Sequence, residues 1–306
     1  MLSCVGDVDI MHHLSDMLVI PEGYPPPTEL PAEFHSRVEV GEIIDSEYPG
    51  YVYVVGSYLL IEDSHIGKYN AIQQRDRGYG VVRSDLFVGS TVHDIHGPAV
   101  TSRGTETELS LDEVACVRCL SWPSQAADWL TRHRNYDWPD SETVDHVVGN
   151  GCDVVQVAHP LCRQDDWMSK HQWRLSFSRA EIVLFNSLMP LQQIVYHMLR
   201  VFVKTERLTD IKITDSSGKK TTSIDHVSNY HFKTLTMWAC ELKQQSWWID
   251  DMNVVSKLKC VELLYILADW LKSGICPHYF VNNCNLIYKT EYLEIIASRL
   301  MSITES

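Results

Sequence analysis

The chain has 306 residues, 45% of them hydrophobic and 22% charged, with a formal net charge of −14. That length and balance exclude a disordered chain and allow one large domain or two ordinary ones, each with its own core. The acidity excludes a surface that is basic throughout, but half of the 26 Lys and Arg fall after residue 198, so a local basic patch is compatible with it.

The first residues, "MLSCVGDVDI", contain neither a basic leader nor a long apolar run, so neither export nor a membrane span is expected. Nine cysteines, an odd number, without an export signal point to reduced thiols and a cytoplasmic setting, with a nuclear one as the alternative. In "GDVDI" the alternation of an extended chain puts Asp7 and Asp9 on one face and Val8 and Ile10 on the other. Two like charges side by side are costly unless water or a cation screens them. The spacing alone leaves open a turn beside a buried strand and a metal site.

After a Pro-rich stretch, "PEGYPPPTELP", the first half consists of short β-type runs broken by turn residues. "EYPGYVYVVGSYLLI" reads as two strands split at Gly56-Ser57, and "YGVVRSDLFV", "LDEVACVRCL" and "GCDVVQVAHP" as further strands. A helix is expected in "SQAADWLTRHR", behind Ser124 and the Trp122-Pro123 step.

The second half changes to helical spacing. Ser178 and Glu181 fit a capping box, in which each side chain satisfies an orphan helix amide. Pro190 suits the first turn of "PLQQIVYHMLRVFVK". Ser228 and Asn253 are expected N-caps for "NYHFKTLTMWACELKQQ" and "VVSKLKCVELLYILADWLK", the latter stopping near Gly274. A last helix is expected in "EYLEIIASRLM". The division is a strand-rich lobe over 1–180 and a helical lobe over 181–306.

The order of "CVRCLSWPSQAADWL", "GCDVVQVAHPL", "HQWRLSFSRAE" and "SNYHFKTLTMWACE" resembles the male-abnormal-twenty-one (Mab-type) nucleotidyltransferase family. That family includes cyclic GMP–AMP synthase and the cyclic GMP–AMP synthase-like receptors of animals, and the likeness runs from "GDVDI" to the C-terminus. It implies an α+β fold: a nucleotidyltransferase core lobe, a mixed sheet flanked by helices, followed by an all-helical lobe of helix-hairpin-helix-like type. It implies the activity too, joining ATP- and GTP-type nucleotides into a cyclic dinucleotide or short oligonucleotide in innate immune sensing.

In that family a D-x-D pair and a third carboxylate on a neighbouring strand hold two Mg²⁺ (or Mn²⁺) ions. The reason is chemical: attack on an α-phosphate builds charge that two hard cations stabilise. Asp7 and Asp9 match the pair, and Asp112 matches the third position. By the same resemblance Arg174 reaches a base, Ser176 adds a hydroxyl and Lys233 lies near the triphosphate, each with a salt bridge at the seam between lobes as the alternative. Lys204, ending its helix, reads as a solvated or dipole-favoured lysine.

Two departures stand out. The family carries a phosphate-holding Gly-Ser turn about a dozen residues before the D-x-D pair. Here six residues precede Asp7, and Gly56-Ser57 follows the pair, so it reads as a break between strands. Either the chain is part of a longer product, or it is an inactive member acting as a binding scaffold. The interval after "SFSRAE" lacks the Cys residues of a zinc insertion, which argues against DNA as the activator and favours double-stranded RNA or no nucleic acid. Cys116 with Cys119, and Cys152 with His159 and Cys162, fall short of a four-ligand zinc set and read as buried thiols. Trp238, Trp247, Trp248 and Trp270 read as core, and "DSSGKK" as a surface loop.

Overall fold

The carboxylate-bearing start is a strand, β1 (Val8–Pro21), in a computed structural model that describes residues 8–74, 78–80, 93–96, 99–102, 111–162, 167–205, 213–214, 220–221, 227–248, 255–288 and 293–304. Asp7, Asn253 and most of "YGVVRSDLFV" and "DSSGKK" lie outside the described residues. The chain divides into two units, Met1–Ala127 with Asp145–Glu181, and Asp128–Val144 with Ile182–Ser306.

The first unit is built on strands rich in β-branched and aromatic residues: β2 (Arg37–Asp45), β3 (Tyr51–Asp63), β4 (Lys68–Gln73), β5 (His93–His96), β6 (Ala99–Ser102), β7 (Leu111–Cys119), β8 (Cys152–Gln156) and β9 (Gln172–Ser176). They form one mixed sheet in the order β1-β2-β3-β9-β8-β7-β6-β5, with β4 beside β3. Strand β1 runs parallel to both β2 and β7, so the pairings from β1 through β2, β3, β9, β8 and β7 return to β1. Leu18, Ile20, Phe34, Val38, Val40, Leu60 and Tyr69 are buried together as one apolar cluster.

Gly56-Ser57 is not a break. β3 runs through it as a single strand, because Ser57 is fully buried with its hydroxyl donating to Glu42 Oε2 at 2.6 Å. A satisfied hydroxyl carries a polar residue through a buried strand at little cost. The helix expected over 124–134 is shorter: a 3₁₀ turn at Ser124–Ala126 leads into α1 (Ala127–Thr131). β2 and α2 (Ser141–Gly149) are additional elements.

α3 (Ser178–Asn186) begins at Ser178, the residue expected at its start. The Ser178 hydroxyl contacts Met11 Sδ (2.9 Å) and Ser176 Oγ (3.4 Å), while the Glu181 amide donates to Phe177 O. Pro190 opens α4 (Pro190–Thr205) as its spacing predicts. After the two-residue strands β10 (Ile213–Thr214) and β11 (Lys220–Thr221) come α5 (Asn229–Leu242), α6 (Val255–Ser273) and α7 (Leu293–Thr304).

Ser228 precedes α5 in extended conformation, and its amide donates to His231 Nδ1 at 3.0 Å, so a histidine takes the place that Glu or Gln fills in the usual box. α6 ends in a Schellman motif: Gly274 has φ +68, its amide reaches Leu271 O, and the Ile275 amide reaches Trp270 O. The core of the second unit is apolar, with Leu199, Phe232, Leu263, Leu267, Leu271 and Ala297 buried and Trp248 2% exposed. Trp247 and Trp270 pack half-buried against it, as amphipathic aromatics do at a core margin. No described helix is long and apolar enough to cross a membrane.

Candidate functional site

Asp9 of β1 and Asp112 of β7 are register partners on parallel strands, with Met11 opposite Val114 and His13 opposite Cys116 beyond them. In a parallel pair, partnered positions share a face, so the two aspartates and the His13/Cys116 pair occupy one side of the sheet. The opposite side is used by His12, whose Nε2 lies 3.1 Å from Glu113 Oε1.

The same face continues across β8 to β9. Arg118 is paired with Asp153, Asp153 with Ser176, and Val155 with Arg174. Arg174 and Ser176 are therefore level with Cys116 to Arg118, about 13–20 Å along the strand from Asp112 at the rise of an extended chain. That span suits an extended ligand, not a single contact. Arg174 is exposed and Ser176 half-buried, and Ser178 links Ser176 to Met11, the residue between Asp9 and His13. Lys233 stands half-buried in the first turns of α5, in the other unit.

Between the two ends of this face lies a polar hub that no sequence motif announced. Asp153 is fully buried, and Arg179 holds it through Nε at 3.1 and 3.3 Å from the two carboxylate oxygens. Arg179 Nη2 donates to His13 Nε2 at 2.8 Å. An imidazole nitrogen that accepts from a guanidinium carries no proton, so the neutral ring keeps its proton on Nδ1, which faces Asp153 Oδ1 (3.5 Å) and Cys116 Sγ (3.3 Å). Burial holds the His13 pKa below its ordinary value, opposed by Asp153, and pushes the Cys116 thiol up to about 12. Burial also raises Asp153, against the pull of Arg179, His13 and Arg118.

His13, Cys116 and Asp153 offer one donor atom each within 4.8 Å of one another. Their chemistry is nonetheless that of a hydrogen-bonded hub. A metal-bound histidine donates its second ring N–H to an acceptor, whereas here that nitrogen meets the donor Arg179. The thiol is also held protonated far above neutrality.

The other cysteines of these segments, read as buried thiols, have protein partners. Cys119 and Cys152 are cross-strand partners buried between β7 and β8. His159 stacks on Tyr48 at 4.0 Å, and the Cys162 thiol turns to Gln172 Oε1. One signal for the hub was present in the sequence: position 13 continues the alternation of positions 9 and 11 along β1. Its partners come from strands and a helix start more than a hundred residues away, which no local pattern joins.

Two family profiles match the chain. The Mab-21 protein nucleotidyltransferase domain matches residues 70–187, and the Mab-21 protein HhH/H2TH-like domain matches residues 191–299. Asp112, Arg174 and Ser176 fall within the first match and Lys233 within the second, while Asp7 and Asp9 precede both.

Proposed function

The chain belongs to the Mab-21 nucleotidyltransferase family, and on that premise we propose that it is a cyclic GMP–AMP synthase-like enzyme. It joins ATP- and GTP-type nucleotides into a cyclic dinucleotide or short oligonucleotide, as part of innate immune sensing. The reaction is attack of a ribose hydroxyl on an α-phosphate, with pyrophosphate leaving.

The observation that supports this reading most is the register of Asp9 with Asp112 on adjacent parallel strands. Aspartates at partnered positions of two adjacent strands suit a hard divalent cation, and like charges at such positions are destabilising without one. We assign Asp7, Asp9 and Asp112 to hold Mg²⁺ or Mn²⁺. A bound cation of this kind stabilises charge on the phosphoryl oxygens and lowers the pKa of the attacking hydroxyl.

The remaining roles belong to the chain's own side chains. Arg174, exposed on β9, presents a planar fork of donors that suits a base edge or a phosphate. Ser176 supplies a hydroxyl steadied by Ser178, and Lys233 supplies a point charge for the triphosphate. Double-stranded RNA is the activating ligand that the acidic chain with a basic-enriched second half suits best. The eight described cysteines are thiols and not disulfides, which suits a cytoplasmic setting.

The test is incubation with labelled ATP and GTP, Mg²⁺ or Mn²⁺, and duplex RNA. Expected is a product containing both labels, lost in Asp112→Asn and in Asp9→Asn. Product that persists in the double variant contradicts the assignment, and no product under any condition favours a binding scaffold.

A further inference from the structure

Strand β1 leaves β7 for a short stretch, and two arginines border the largely apolar gap it opens. The four residues of β1 between His13 and Leu18 stand against the single residue of β7 between Cys116 and Arg118. Bulges of this kind re-aim side chains next to sites. Here the irregularity opens a cavity of about 220 Å³ lined by His13, Leu14, Glu33, Phe34, Arg118 and Arg179.

Arg118 is the anomaly in it. The residue is only 9% exposed, yet its Nε and Nη1 have no hydrogen-bond partner, and its ion pair with Asp153 Oδ1 is long, at 3.9 Å from Nη1. Asp153 is already engaged at closer range by Arg179. Two guanidinium groups thus share one buried carboxylate, which leaves a surplus positive charge beside the cavity. Glu33 is the other acid there, and it is solvent-exposed. An unpartnered buried cation is costly, and a bound anion is the usual remedy.

We propose that this cavity is a phosphate-binding site, taking a phosphate group either as the free ion or as part of a small phosphorylated ligand. Arg118 and Arg179 are its binding residues. Phosphate offers tetrahedral acceptor oxygens that two guanidinium forks can share, and the cavity's volume admits it with room for a substituent. The site needs no divalent cation and is distinct from Asp9 and Asp112, which lie four or more residues away along their strands.

The experiment is titration of the full chain with inorganic phosphate, and separately with a nucleoside monophosphate, in EDTA at constant ionic strength, followed by calorimetry and by ³¹P line broadening. Arg118→Met removes the orphaned guanidinium, and Leu14→Trp fills the cavity while leaving both arginines in place. Expected is saturable binding of at least one of the two probes by the native chain, weakened roughly tenfold or more in each variant. Whichever probe binds identifies the source of the group. If Arg118→Met does not fold, Leu14→Trp decides alone. Binding unchanged in Leu14→Trp, or no saturable binding of either probe by the native chain, overturns the proposal. Because the titration excludes divalent cations, its failure leaves the nucleotidyltransferase reading untouched, and the reverse also holds.

Discussion

Asp9 and Asp112 are separated by about a hundred residues and stand as direct partners on neighbouring parallel strands. Parallel pairing of a strand near the chain start with a distant one needs a long crossover, here supplied by β2 to β6. The sheet is thus the device that concentrates acids at one end of a face and arginines at the other, and each end makes its own demands on the chain.

Arg174 is exposed on β9, so replacing it removes little that holds the fold together. Arg174→Ala is expected to shift unfolding by less than about 0.5 kcal/mol. Nucleotide affinity, measured by calorimetry with ATP and GTP, is expected to fall roughly tenfold or more, with Arg174→Lys restoring only part of it.

Gly151 precedes β8 with φ +63, and a Cβ there would lie 2.2 Å from Cys119 O and 2.8 Å from the Leu120 carbonyl carbon. Backbone cannot yield as a flexible side chain does. Gly151→Ala is expected to cost about 2 kcal/mol or more in chemical denaturation. Gly149, two residues earlier at the end of α2, has nothing within 4 Å of such a Cβ. Gly149→Ala is expected to change stability by less than about 1 kcal/mol, in the favourable direction.

Glu241 is the acid at the centre of the second unit. It is 3% exposed, and its Oε2 accepts from Arg132 Nη2 at 2.8 Å and from the Tyr279 hydroxyl at 2.7 Å. Arg132 is further held over the rings of Trp238 and Tyr279. Glu241→Ala strands a buried cation and is expected to cost about 3–5 kcal/mol. Tyr279→Phe, which removes one hydrogen bond and keeps the ring, is expected to cost about 1 kcal/mol. Urea denaturation of the two variants checks both the size and the ratio.

The pH dependence follows from buried groups. Burial is the chief cause holding His13, His159 and His231 below their ordinary value of 6.5. The unfolded chain then binds more protons as pH falls, so their contribution is present above about pH 6.5 and is lost below it. Asp153, raised by burial, acts in the opposite sense over more acid pH, and it is one group against three. Burial pushes Cys116, Cys276 and Tyr53 up to about 12, so the unfolded chain releases these protons first. Stability is lost again as pH rises above roughly 9. A plateau between roughly pH 7 and 9, falling on both sides, is expected in urea midpoints; a midpoint that rises steadily below pH 6.5 contradicts it.

Local signals were legible where a single residue sets the geometry. Pro190 opens α4, Ser228 precedes α5, Gly274 ends α6, and the runs at "LDEVACVRCL" and "GCDVVQVAHP" are β7 and β8. Gly56-Ser57 misled because turn residues were read without their partner, the buried Glu42 that lets Ser57 stay in a strand. The Ser178 hydroxyl likewise has a distant partner that no local pattern gives, Met11, 167 positions earlier. The hub of His13, Asp153 and Arg179 was hidden because each member comes from a separate element, and only the register joins them.

The most direct test is Mn²⁺ binding by the full chain, followed by electron paramagnetic resonance with Mg²⁺ as competitor. Saturable Mn²⁺ binding is expected, displaced by Mg²⁺ and weakened at least roughly tenfold by Asp112→Asn and by Asp9→Asn, with circular dichroism unchanged. Binding equally tight in the Asp9→Asn plus Asp112→Asn double variant would contradict the assignment of these partnered strands as the cation site.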